Sequence, residues 1–295
     1  MSNNDDQTLN RSRSILAATN RSQNELNAEK GLTADPWHGL TSLTDARIAI
    51  GRAGVSTPTQ AQLNFNLDHA LARDAVNVPL NVNKLCEELR QLKLSFLSVH
   101  SQAFNRRTYL QRPDLGRRLH SDALRFLQQS ALEANFAYDI AIVLVDGLSS
   151  TAVQLNGVAL SAEIRQSCLD MGLQVAPLVI VEQGRVAIGD EIGEALNAKS
   201  VALTVGERPG LSSPDSLGIY YTFAPEVGLT DARRNCISNV RAAGLSNQQA
   251  VQRLMWLING SRSLQTSGVA LKDNSTVENS CLGGQDQLGN FLLSK

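Results

Sequence analysis

Aromatic residues are scarce, at 4% of 295 positions. Stacking platforms for single-stranded nucleic acid are therefore not expected. A charge excess of either sign is missing too: 27 Lys and Arg stand against 28 Asp and Glu, a formal net charge of −1. Nonspecific binders of nucleic acid or anionic membranes carry a basic surplus, so neither partner is expected. No apolar run approaches the ~20 residues that span a bilayer, and no apolar secretory core opens the chain. The cysteines Cys86, Cys168, Cys236 and Cys281 are far apart and form no CxxC pair. That excludes a zinc ribbon or finger, suggests no metal site, and fits reduced thiols in the cytoplasm. GxGxxG, GxSxG and HExxH are absent, so no nicotinamide, serine-hydrolase or zinc-protease fingerprint exists. Gly184 and Gly189 have the spacing of a phosphate loop, but Asp190 follows where lysine is needed.

What is present is an ordinary globular composition, 42% apolar and 19% charged. The length suggests more than one domain. Residues 1–35 are rich in Asn, Asp, Ser, Gln and Arg and read as a disordered tail. Leu9, Ile15 and Leu16 are its only candidates for a short docking stripe. Residues 36–130 read as a mostly helical N-terminal domain. Residues 44–50 open with helix-capping types, and Leu63, Leu67, Ala70 and Leu71 recur at helical spacing. Leu85, Leu89, Leu92 and Leu94 mark another helix, and Pro113 suits the first turn of a further one. From residue 131 the pattern changes. Residues 140–145 form an unbroken apolar run, the pattern of a strand buried on both faces. Further strands are expected at 174–181, 200–205 and around Tyr220 and Tyr221, alternating with helices at 151–171, 190–197 and 247–258. The expected class is α/β: a helical region, then a Rossmann-like, mainly parallel, doubly wound sheet over 131–295.

Ligands of such sheets bind outside the carboxyl ends of the strands. That rule selects segments 146–150, 184–194 and 206–216. The last is the densest: two glycines and two prolines fix its backbone, and Glu207 and Arg208 stand side by side. It reads equally well as a rigid loop presenting a carboxylate to an amide-rich ligand and as a tight turn with a local ion pair. Cys236 lies in RNCISN with no histidine nearby in sequence, which argues against a nucleophile. Arg106, Arg107, Arg112, Arg117 and Arg118 make one stretch locally basic. The histidines, His38, His69, His100 and His120, all precede the expected sheet domain, so no acid–base residue is assigned there.

Six stretches then occur in order: LTDARIAIGRAG (43–54), RPDLGRRL (112–119), DGLSS (146–150), RVAIGDEIGE (185–194), GERPGLSSPDSLG (206–218) and RNCISN (234–239). By these the chain resembles the small (light) subunits of ethanolamine ammonia-lyase. The resemblance implies conversion of ethanolamine to acetaldehyde and ammonia by a radical begun at adenosylcobalamin. It implies a large barrel subunit holding ethanolamine, with this chain covering the cofactor, and six copies of each chain. It places cofactor contacts at Val186, Glu207 and Cys236, with Asp146, Gly147, Ser149 and Arg208 as further candidates. No residue of this chain is assigned a catalytic role. The histidine motif DxHxxG is absent, so the cofactor is expected base-on. The expected location is the cytoplasm, with a bacterial microcompartment as an alternative. A stand-alone enzyme and a purely architectural subunit are the competing readings.

Overall fold

The computed structural model describes residues 31–33 and 35–273. The expected docking stripe and Cys281 lie outside them. Two compact units are distinguished: one runs to Arg73 and takes in Gly210–Ser212, and the other holds Asp74–Pro209 and resumes at Ser213. The boundary expected near residue 130 does not appear there.

The first unit is thinly packed. A 3-10 turn spans His38–Leu43, and helix α1 spans Thr59–Asn77, its last residues belonging to the second unit. Leu63, Leu67 and Leu71 sit at helical spacing on α1 and remain exposed. The helix expected over 44–50 is not formed. The Thr44 hydroxyl accepts from the Ala46 amide at 3.1 Å, and Ala49 is left-handed with φ 52°. A threonine side chain that captures its own backbone competes with helix formation.

The second unit is an α/β body. Helix α2 (Val82–Gln91) begins on Asn81, whose side chain accepts from the Lys84 amide. Strand β1 (Phe96–His100) follows, then helices α3 (Arg106–Gln111) and α4 (Ser121–Ala134). Strand β2 (Ala141–Val145) leads into a continuous helical stretch. It runs through Ser150–Ala152 and a π turn, Val153–Gly157, into α5 (Val158–Asp170). Then come β3 (Leu178–Glu182), α6 (Ile188–Ala195), β4 (Ser200–Gly206), β5 (Leu217–Phe223), β6 (Arg234–Val240) and α7 (Asn247–Leu264). Ser246 and Gln249 close a reciprocal capping box at the start of α7.

The strands form one six-stranded sheet in the order β1-β3-β2-β4-β5-β6. The first four are parallel, whereas β5 and β6 join antiparallel. The sheet is thus mixed, and the Rossmann-like, doubly wound description is not the one observed. The physical reason lies in the 206–216 segment. Glu207 N donates to Ser216 O at 3.0 Å, closing a hairpin loop that returns the chain beside β4 in the opposite direction. RNCISN is β6 itself, with Cys236 opposite Tyr220.

β1 also escaped the helical reading of 36–130. It pairs in register with β3 from Phe96↔Leu178 to His100↔Glu182. His100 therefore lies in the sheet, its ring stacked on His120 at 4.7 Å. Pro113 does not start a full helix. Only a 3-10 turn, Leu115–Arg117, forms, because Arg112 folds back onto Asp114 at 2.7 Å and the Leu119 amide donates to Glu191 instead.

Each sheet face is covered. Ile140, Ile142, Leu144, Leu178 and Ile180 meet α2, α5 and α7 on one side. Val143, Val145, Val179 and Val181 meet α4 and α6 on the other. Leu85, Leu89 and Leu127 are fully buried by this arrangement, each worth about 1.5–3 kcal/mol. No helix among the described residues is long and apolar enough to cross a membrane.

Candidate functional site

A cleft of about 940 Å³ opens at the carboxyl ends of β2, β3 and β4, beside the β5–β6 hairpin. Its making begins with Asp146. The carboxylate is fully buried and accepts from the Gln183 and Gly184 amides at 2.9 and 3.0 Å, tying the end of β2 to the end of β3. Arg106 stands 3.4 Å from the same carboxylate, donates to Gly147 O at 2.7 Å, and reaches Val76 O at 2.7 Å through Nε. Burial pushes the Asp146 carboxyl up to about 6, against the pull of Arg106. A raised acid stabilises the fold below its unfolded pKa and loses that contribution as pH rises through the folded one. Stability should therefore fall from about pH 4 to pH 6 in wild type. Asp146→Asn should flatten that segment in denaturation curves taken across the range, and an unchanged slope would reject Asp146 as its source.

The junction of β2 with β4 is tighter still. Gly147 has φ 57°, and a Cβ there would stand 2.3 Å from Gly206 O. Leu148 N donates to that carbonyl at 2.9 Å. Ser149 caps the following helix by accepting from the Ala152 amide and donates its hydroxyl to Pro214 O at 2.7 Å.

The far wall is the first turn of α6. Asp190 binds Arg234 of β6 through two contacts of 2.7 and 2.8 Å, and both side chains are buried. Burial raises the Asp190 carboxyl, offset by Arg234. Glu191 accepts from Arg118 at 2.9 Å and from Leu119 N at 2.6 Å. Tyr109 lies between two guanidinium groups, Arg106 at 4.8 Å and Arg185 at 4.4 Å from its ring centre. Its buried hydroxyl is pushed up to about 12.

At the hairpin, Glu207 Oε2 accepts from the Ser216 hydroxyl at 2.6 Å and from Asn239 N at 3.3 Å. No hydrogen bond to its Oε1 is seen among the described residues. Tyr220 lines the cleft, and its hydroxyl is raised, first by burial and then by the Cys236 side chain opposite it.

A family model for the ethanolamine ammonia-lyase light chain matches residues 34–272. The ethanolamine ammonia-lyase small subunit of Pseudomonas paraeruginosa is 50% identical over 261 residues, covering 88% of this chain and 95% of the relative. Those of Pseudomonas aeruginosa strain UCBPP-PA14 and Pseudomonas putida strain W619 are 49% and 48% identical, over 88% of this chain and 95% and 96% of theirs. The chain belongs to the ethanolamine ammonia-lyase small-subunit family.

Within this family member, the residues singled out by sequence divide into two groups. Gly147, Val186, Glu207 and Arg208 line the cleft. Asp146 and Ser149 are buried behind it, with their polar atoms engaged by protein. Cys236 is exposed, 3.3 Å from the Ser238 hydroxyl, and does not line the cleft itself. Arg106, Tyr109, Arg185 and the Asp190–Arg234 pair were not singled out as site residues. The run of arginines was visible as a basic stretch, but only the fold separates Arg106, turned inward, from Arg107, left exposed.

Proposed function

We propose that the cleft holds adenosylcobalamin against a large barrel subunit, and that the two chains together convert ethanolamine to acetaldehyde and ammonia. The family name supports the lyase reaction and a larger partner. The observation that carries the cofactor reading is the donor set. A corrin ring is broad, apolar across its face and fringed with amides. The cleft offers Leu148, Val186 and Val227 beside a fixed carboxylate whose Oε1 is open to a donor. The close approach of Gly147 and Gly206 leaves no side chain at its base. These residues fit such a group.

When bound, the cofactor supplies radical chemistry through homolysis of its cobalt–carbon bond. The chain's own residues bind and shield. Glu207 accepts from an amide N–H of the cofactor, charge-assisted and pre-oriented by Ser216 and Asn239. Val186 and Leu148 exclude water from the apolar face. Cys236 stands opposite Tyr220 in the β5–β6 pair, beside the cleft wall that Tyr220 lines, and Arg208 lies at the rim. Asp146 and Ser149 are positioning residues that fix the loops. No residue here is given a proton-transfer step.

In the assembled enzyme, Glu207→Ala and Val186→Glu should each weaken cobalamin binding about 10-fold or more, as read by equilibrium dialysis with hydroxocobalamin. Unchanged affinity in both would favour the architectural reading. Neither chain alone should turn over ethanolamine. Turnover by this chain by itself would favour a stand-alone enzyme.

The cofactor is proposed to keep its benzimidazole on cobalt, since DxHxxG is absent. Spin resonance of the cobalt(II) state, with nitrogen-15 histidine in the protein, should show no change in nitrogen coupling. A changed coupling would establish a protein ligand.

A further inference from the structure

The arginines of the cleft are not equivalent. Arg118 is matched by Glu191, and Arg234 by Asp190 and Asp231. Arg106, behind the cleft, is matched by Asp146. Arg185 has no carboxylate partner among the described residues, although it lies half-buried in the wall. Its position is nevertheless fixed at three points. The backbone N donates to Gly116 O at 2.8 Å, Nη2 donates to Tyr109 O at 3.1 Å, and the guanidinium plane rests 4.4 Å from the Tyr109 ring centre. Its Nε is buried and has no hydrogen-bond partner among the described residues.

An unmatched cation held this firmly in a partly desolvated wall is costly unless something negative meets it. The planar guanidinium favours oxygen-rich anions, carboxylate and phosphate, which two of its N–H groups can meet side by side. Its neighbours along the cleft, Arg117 and Arg208, are exposed and also lack acidic partners among the described residues. They extend the positive field without fixing a geometry.

We propose that Arg185 is an anion-recognition residue of the cleft, and that its ligand is the phosphodiester of the cofactor's nucleotide loop. The inference rests on the cobalamin reading above and adds a polarity to it. Glu207 faces amides of the corrin fringe, while Arg185 takes the one fixed anionic group of the molecule. The nucleotide loop then lies toward β3 and α3, and the corrin toward the β5–β6 hairpin.

The test uses the assembled two-subunit enzyme and two probes: hydroxocobalamin, and cobinamide, which lacks the phosphodiester and the benzimidazole. Dialysis should show Arg185→Gln losing about 10-fold or more in affinity for hydroxocobalamin, with cobinamide affinity within about twofold of wild type. Arg185→Lys should recover part of the loss. Equal losses for both probes would overturn the proposal, because Arg185 would then only shape the wall. Unchanged hydroxocobalamin affinity would overturn it as well. Wild type offers a check that needs no variant: added sodium chloride should weaken hydroxocobalamin binding and leave cobinamide binding nearly constant. Parallel salt curves would count against an anion contact. Failure of the underlying reading looks different, since Glu207→Ala would then leave both probes unaffected.

Discussion

Arg234→Met is expected to destabilise the chain by about 3–5 kcal/mol, one of the largest single effects in the molecule. The two side chains of the Asp190–Arg234 pair are 4% and 2% exposed and meet through two short contacts. Removing the guanidinium leaves the carboxylate buried without its partner, and Arg234 also surrenders its bond to Leu229 O at 3.0 Å. Denaturant unfolding followed by Trp256 fluorescence, a residue packed against the core, measures the loss. The double variant Asp190→Leu, Arg234→Met should cost less than the sum of the single changes, because no lone charge remains. pH supplies the sign. Burial already raises the Asp190 carboxyl, and losing Arg234 raises it further. A raised acid is best tolerated protonated, so the deficit of Arg234→Met should shrink as pH falls and grow as pH rises through the folded pKa. A loss under about 1 kcal/mol, flat with pH, would show that the pair does not lock β6 to α6.

Gly206→Ala should be as damaging. A Cβ on Gly206 would lie 2.0 Å from Ser149 O and 2.6 Å from Asp146 O, both backbone atoms with no rotamer to change. The ends of β2 and β4 must then part, opening the floor of the cleft. The expected cost is about 3 kcal/mol or more, with weakened cobalamin binding in any folded fraction. Gly172→Ala is the control. Gly172 has φ 73°, but none of the described residues comes within 4 Å of its Cβ position. That variant carries only backbone strain, about 1–2 kcal/mol. Thermal melts of the two variants side by side decide the matter: equal shifts would mean that strand-end crowding adds nothing.

The parts of the fold that were legible share one trait: their signal is local. The apolar run at 140–145 became β2, with every residue buried. The leucine spacing of 85 and 89 became α2. What escaped depends on contacts made far away in sequence. β1 is half-polar and short, and only its pairing with β3 makes it a strand. β6 carries Asn, Cys and Ser, which resemble a loop until β5 is alongside. Residues 44–50 show the converse, where a favourable helical pattern gave way to a threonine-centred turn. In the candidate site, the strand-end rule selected the segments 146–150, 184–194 and 206–216, and residues from each of them, Gly147, Val186, Glu207 and Arg208 included, line the cleft. It could not find Tyr109, whose ring meets Arg106 of its own helix and, from a distant segment that only the fold brings near, Arg185.

The strand order also sets a schedule for synthesis. β1 is translated before β2, yet its neighbour in the sheet is β3. On a ribosome the residues 96–100 emerge and wait, while β2, its helix and then β3 are made. A nascent chain halted before Leu178 lacks every partner residue that β1 uses. The strand that closes one border of the sheet is thus an early product that must be stored open, and its docking is among the late, long-range events of assembly.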